Sequence, residues 1–404
     1  MSEPTTGGDA QLQAEVDDDD DDDEQLAEVS AAARQRGIEA SQVLAVCADW
    51  ACILGASAIQ LLRLADRTST TLAAQARCAC FNGEGTQLLI GGDDKQVVLY
   101  DELPPGSAPR HRWTHNKKIG CVAFSPDGGT AIWADAFGEV HAVVLTETDA
   151  EPALVLGHLS PVSHLLFTPG GGALITADRE GHVRSSHWPH AFVIECYYLW
   201  HTSPLLLCMP LASSPLVLSA SSNGQEICLW RLHAGVLLSR TPASELLNGT
   251  GGVIAVDGSA APSAPTLDAT SAAVACACEV PSERLIAFGF VGSSRIGFFT
   301  PVCEWDASAA RLRPEPKLDC TLAQEHEPAA LAHCSSSALL CVLLTGATAI
   351  ALLPAAAGGG FNSAAALLVR FDAEPHVPIA NEAAADADEA ASSKRDGKRA
   401  KHGK

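Results

Sequence analysis

Three histidines, His115, His158 and His201, recur at intervals of 43 residues. Imidazole is the side chain best suited to bind a metal or carry a proton near neutral pH. One segment, Thr176 to Ser185 (TADREGHVRS), also gathers Arg179, His182 and Arg184 within six positions. Guanidinium groups so placed can form charge-assisted, bidentate hydrogen bonds to carboxylates or phosphates. No catalytic set accompanies these residues. The chain has no Gly-x-Ser-x-Gly elbow, no His-Glu-x-x-His pair and no glycine-rich phosphate loop opening a helix. Gly170–Gly172 falls between strand-like runs and reads as a turn, and Gly358–Gly360 lies in an alanine-rich connection. The fourteen cysteines form no Cys-x-x-Cys set, so structural zinc is not expected. With no secretory signal and no apolar stretch of membrane length, they read as reduced, buried thiols, and no membrane contact is expected. The periodic histidines read as scaffold residues that hydrogen-bond within their repeat. The expectation is a chain without catalytic residues, cofactor or metal, and a binding or scaffold role. A fold alone does not exclude catalysis.

The elements that position these residues repeat with the same period. Phe81, Phe124 and Phe167 are spaced by 43 residues, as are Gly138, Gly181 and Gly224. Each phenylalanine is followed by a turn: Asn82-Gly-Glu-Gly85, Ser125-Pro-Asp-Gly128 and Thr168-Pro-Gly-Gly171. In Gly157 to Pro189 the pattern is complete. A Gly-His pair precedes a strand-like run over Val162–Phe167, a turn, a second run over Ala173–Ala177, a polar turn and a third run from His182. Three markers in register at this spacing fall in the range of WD repeats, each an antiparallel blade of a β-propeller. Blade ends are visible at Leu99-Tyr100-Asp101 and Leu229-Trp230-Arg231. The predicted fold is all-β: a seven-bladed WD-repeat propeller over 41–372, with a disordered acidic tail over 1–40 and a linker and basic tail over 373–404. Six or eight blades stay open because the last third is degenerate.

The chain is strongly acidic, with a formal charge of −22, which disfavours binding nucleic acid over its whole surface. Residues 1–39 hold 13 acidic and 2 basic residues, 373–404 hold 6 of each, and the middle holds 29 against 18. Seven consecutive aspartates, Asp17 to Asp23, repel one another and bury nothing. They read as a solvated spacer or as a docking tail for a basic partner. Val43 to Leu64 is expected to form the first blade, and blades two to five are expected at about 72–108, 109–150, 151–195 and 196–240. Thr241 to Ser271, rich in small residues, breaks the register and reads as an inter-blade insertion. Ala365 to Phe371 is a candidate closing strand of the kind that propellers share between first and last blades. The basic run from Lys394 to Lys404 reads as a nuclear-import signal, with a nucleic-acid contact and a merely solvated tail as alternatives.

The organising segment resembles one family, the WD-repeat non-catalytic subunit of eukaryotic tRNA (guanine-N7-)-methyltransferase. The match is carried by Thr176-Ala-Asp-Arg-Glu-Gly-His-Val-Arg-Ser185 followed by His187-Trp-Pro-His190, by Lys117-Lys118-Ile119 ahead of Phe124-Ser-Pro-Asp-Gly128, by Ala134 to Val140 and by Gly157-His158. It covers about Asn116 to Trp230. Trp200-His201-Thr202 departs from the family's Gly-His-Thr, and Glu180 replaces its common Asp. The resemblance implies a seven-bladed propeller that binds the catalytic subunit side-on as a heterodimer and stabilises its active conformation. That partner holds S-adenosylmethionine and forms N7-methylguanosine in the variable loop of tRNA. The WD subunit would bind no cofactor, would meet tRNA mainly through its partner, and would act in the nucleus. The implied partner contact is Arg184, with Arg179 close by and His182 beside them. From the residues alone, strand alternation puts His182 and Arg184 on one face and Val183 and Ser185 on the other, and the arginines read as outward-facing and solvated. A WD adaptor of another complex, such as a substrate receptor of a ubiquitin ligase, is the alternative reading, and a propeller enzyme is a third.

Overall fold

The computed structural model describes residues 44–370, except 56–57, 105–107, 148–149, 249–271, 304–308, 316–317, 319, 323–326, 345–348, 357–360 and 362–366. The acidic and basic tails, and most of the 241–271 insertion, lie outside the described residues.

Seven antiparallel sheets follow one another along the chain, at 44–72, 78–114, 119–157, 162–198, 205–242, 274–321 and 328–370. Each is a meander of consecutive strands, and the sixth carries an additional short strand, Cys320–Thr321. First strands of successive blades touch one another around the ring, so they line the centre and the fourth strands form the rim. The expected all-β, seven-bladed propeller is therefore the fold. The organising stretch folds as read: strands at Val162–Phe167, Ala173–Asp178 and Val183–His187, followed by a fourth at Ile194–Tyr198.

The core is divided into seven seams. Each apolar cluster joins two neighbouring blades, from Trp50, Leu61, Leu88 and Tyr100 between blades one and two round to Ile53, Leu62, Leu343 and Leu352 between seven and one. A blade's middle strands are thus covered on both faces. That is why Leu216–Ser221 and Leu285–Phe290 are buried along their whole length and read as near-continuous apolar runs.

Among the described residues, the ring closes without an exchanged strand. Leu367–Arg370 pairs with Ala349–Pro354 inside blade seven, and blade one is built from its own four strands. Closure rests on the apolar seam and on Cys334 Sγ and Ser336 Oγ, which reach Ala48 O at 3.3 and 2.7 Å. Blade limits also differ from those read along the sequence. Blades two to five start six to eleven residues later, because each sheet begins at its inner strand. The register break starts later too. A strand runs over Val236–Pro242 and a helix over Ala243–Asn248, with Ala243 and Leu246 buried in the seam between blades five and six.

The periodic glycines have a steric cause. Gly138 and Gly181 both adopt φ of +88° at the turn between second and third strands. A Cβ at Gly138 would stand 2.6 Å from Ser160 O and 2.8 Å from His158 O, and one at Gly181 2.6 Å from Ser203 O. Left-handed backbone and this close approach together leave room only for glycine.

Candidate partner-binding site

The periodic histidines sit on the connections between blades, and each reaches into the blade that follows. His158 Nδ1 lies 3.2 Å from Asp178 Oδ2, and its Nε2 lies 2.7 Å from Thr176 Oγ1. Asp178 Oδ1 accepts the backbone N–H groups of Glu180 and His182 at 3.0 and 2.9 Å. One buried carboxylate therefore ties the inter-blade connection to the turn that carries Arg179 and His182. Burial would raise the Asp178 pKa, but the His158 hydrogen bond, the His182 N–H and the two nearby imidazoles outweigh it and hold it below the usual carboxylate range. In blade three, Asp135 repeats the arrangement, with His115 Nε2 at 2.9 Å and the N–H groups of Phe137 and Glu139 at 2.9 Å each. In blade five, His201 Nε2 meets Ser219 Oγ at 2.8 Å, and burial lowers the imidazole pKa. These are the scaffold bonds expected of the histidines, except that each links two sheets.

Among the described residues, one group of side chains has ligand character. His115, Asp135 and His141 bring donor atoms within 4.8 Å of one another. Four tetrahedral zinc ligands would stand about 3.3 Å apart. Both Asp135 oxygens are already engaged, by His115 and by the turn's backbone N–H groups, and burial, with His115 beside it, lowers the His141 pKa. The arrangement serves the blade.

The three contact residues read from the sequence are brought together, with unequal exposure. His182 is exposed, its side chain at 52 %, with Nδ1 3.3 Å from Asp178 Oδ2 and 3.6 Å from Glu180 Oε2. Arg179 is partly exposed, and its backbone N–H donates to Pro161 O at 3.0 Å. Arg184 corrects the expectation of an outward-facing arginine: it is 9 % exposed. On the sheet it stands opposite Thr176. A third strand in a propeller is covered on both faces, so the side of the sheet does not decide exposure. Arg184 Nη2 donates to Gly157 O at 3.2 Å, and its Nε is buried without a partner. The guanidinium thus lies beneath the connection that runs from blade three into blade four.

Two further side chains share that face. Phe137, in the blade-three turn, is 50 % exposed, and Leu159, beside His158, is fully exposed. Both lie in segments singled out in the sequence, Ala134–Val140 and Gly157–Pro189, but neither is among the contact residues read there. The available signal was a leucine in an otherwise polar turn, Gly-His-Leu-Ser-Pro, whose alternation assigns it to no core face.

Residues 146–296 match the sequence model of the tRNA methyltransferase TRM82 WD40 domain. The chain is 28% identical over 157 residues to the tRNA (guanine-N(7)-)-methyltransferase non-catalytic subunit wuho of Drosophila pseudoobscura pseudoobscura, covering 38% of this chain and 39% of that protein. It is 32% identical over 147 residues to wuho of Drosophila willistoni, covering 36% and 35%. It is 29% identical over 132 residues to the non-catalytic subunit TRM82 of Meyerozyma guilliermondii, covering 31% of each. The matched stretches thus span 39% or less of these relatives' length. Among solved structures, a chain of the mitotic checkpoint complex superimposes with a TM-score of 0.57 at 12% identity, covering 75% of this chain and 86% of that one. The β-propeller domain of Cps50 (Swd1) from Myceliophteria thermophila gives 0.53 at 10% identity, covering 74% and 90%. At such identities the likeness establishes the propeller fold alone. The family resemblance drawn from the sequence is borne out. The matched region begins later than the resemblance did and runs further, into blade six.

Proposed function

We propose that this chain is the non-catalytic scaffold subunit of a tRNA (guanine-N7-)-methyltransferase. It binds the S-adenosylmethionine-dependent catalytic subunit as a heterodimer and holds it in an active conformation for N7-methylguanosine formation in the tRNA variable loop. It carries no cofactor, engages tRNA mainly through its partner, and works in the nucleus. The observation that carries this reading is the turn from Asp178 to Arg184. It lies inside residues 146–296, the stretch that matches the tRNA methyltransferase TRM82 WD40 domain model. It also projects from a blade that holds it by a buried carboxylate with four partners. Rigid presentation of a few charged groups is what a docking surface needs, since little ordering entropy remains to be lost on association. Arg179 and His182 are the contacts this reading places at the surface, and Arg184 completes the site from behind.

The test is reconstitution. Co-expressed with the catalytic subunit of the same source, the chain is expected to co-elute as a 1:1 complex and to raise guanine methylation of tRNA. Calorimetry on the isolated chain should show no heat from S-adenosylmethionine. Micromolar binding of that cofactor, or methylation by the chain alone, would overturn the reading. Removing 394–404 should release a fluorescent fusion from the nucleus.

A further inference from the structure

On the face where second strands turn into third strands, blades three and four present one unbroken surface. Ala136 N–H donates to Lys118 O at 2.9 Å, His158 N–H to Gly138 O at 2.9 Å, and Arg179 N–H to Pro161 O at 3.0 Å. These bonds join 117–118, 136–138, 158–161 and 179–182 edge to edge. Phe137 and Leu159 are the exposed large apolar side chains on these segments. Lys117 Nζ stands 3.4 Å from the Phe137 ring centroid, a cation–π contact that braces the exposed ring. Around the pair lie Lys117, Arg179 and His182, together with the acids Glu139 and Glu180, which are exposed.

The fold does not account for Leu159. A leucine with its whole surface in water adds nothing to any of the seven seams. Nor is it on a floppy tip. The Gly138 turn packs so closely against His158 and Ser160 that a Cβ would stand 2.6 Å from a carbonyl oxygen. Arg184 Nη2 holds Gly157 O from below, two residues before Leu159. An apolar centre that is held in place and ringed by charges of both signs has the anatomy of a protein–protein interface. RNA fits it less well, because Glu139 and Glu180 repel phosphates and a leucine offers a base neither a stacking plane nor a hydrogen bond.

We infer that Phe137 and Leu159 are the apolar anchors on which the catalytic methyltransferase subunit docks, and that Arg184 is a positioning residue that holds the Gly157–Leu159 connection for them. The occupant is a surface of that subunit with an apolar hollow and acidic side chains at its edge, placed to meet Arg179 and His182. The inference rests on the function proposed above and adds which side chains carry the affinity.

The experiment compares wild type, Leu159→Asp and Phe137→Ala by surface plasmon resonance against the purified catalytic subunit of the same source, with thermal melts alongside. Hot-spot truncations in desolvated centres typically cost tens of fold in affinity, so Leu159→Asp should weaken binding by at least about 30-fold and Phe137→Ala by about 10-fold. The Leu159→Asp melt should match wild type, since that side chain touches no core. Wild-type affinity retained by Leu159→Asp would overturn the inference while leaving the scaffold function standing. A wild-type chain that does not bind the catalytic subunit at all overturns both. If Leu159→Asp instead lowers binding of tRNA to the chain alone, the face is an RNA surface and the inference fails.

Discussion

In blade five, the Ser219 hydroxyl meets His201 Nε2 at 2.8 Å and accepts the Trp230 indole N–H, also at 2.8 Å. Blade four starts from the same pair, with His158 Nε2 2.7 Å from Thr176 Oγ1, but the indole is missing. Pairing within each sheet sets Arg184 opposite Thr176 where blade five has Cys228 opposite Ser219, and two residues on, Ser186 stands where blade five has Trp230. Blade five spends this position on a fully buried aromatic, packed edge-on to Tyr198 at 5.7 Å. Blade four has only Ser186 there, and two residues earlier, where blade five has Cys228, it carries a guanidinium that reaches out of its own sheet to the Gly157 carbonyl. The two blades share a scaffold, one finished for cohesion and the other for the surface it presents.

The largest effect that separates them is on stability. Trp230→Ala removes a buried indole and leaves Ser219 short of a donor. Large-to-small core changes of this kind cost about 3–5 kcal/mol, so the melting temperature should fall by roughly 6–12 °C. Differential scanning calorimetry checks this; a shift under 2 °C would show that the blade-five network is not a source of cohesion.

The seam between the two blades should respond to pH. His164, on the first strand of blade four, faces the Leu206 backbone of blade five, and burial pushes its pKa down to about 4. His201, behind blade five's hydroxyl, is lowered for the same reason. In the unfolded chain such imidazoles titrate near 6.5. Below that pH the unfolded state takes up protons that the folded state refuses, so this stabilisation is complete above about 6.5 and is lost as pH falls toward 4. For His164 the loss is on the order of 2 kcal/mol between pH 6.5 and 5. His164→Gln should therefore flatten the fall in melting temperature over that range, and an unchanged slope would place the titration elsewhere.

The smallest effect concerns Arg184. Replacing an incompletely paired buried charge with an apolar side chain of similar length is often close to neutral for stability. Arg184→Met should melt within about 2 °C of wild type. It should still weaken binding of the catalytic subunit by about tenfold, because the Gly157–Leu159 connection loses its hold from below; tenfold is about 1.4 kcal/mol. Arg184→Lys, which keeps one donor, should recover part of this. Affinity unchanged in Arg184→Met would separate Arg184 from the docking face.

Much of the propeller was legible in the sequence. Residues near one another in the chain fix strand alternation and turn geometry, so Val162–Phe167 and Ala173–Asp178 could be delimited almost to the residue. Gly138, Gly181 and the three histidines repeat because each must satisfy the same left-handed turn or buried carboxylate or hydroxyl. The family resemblance of the segment around Asp178 was likewise legible, because it lies in residue types and their order. What the sequence left open was settled by distant parts of the chain. Closure between blades one and seven depends on residues almost 300 positions apart, such as Cys334 and Ala48, whose carbonyl oxygen accepts the Cys334 thiol. Whether Arg184 faces water depends on where the end of blade three lies, and alternation along one strand carries no information about that. The exposure of Leu159 has the same origin. Periodicity encodes which side of a sheet a residue takes, and only the packing of neighbouring blades decides whether that side meets solvent.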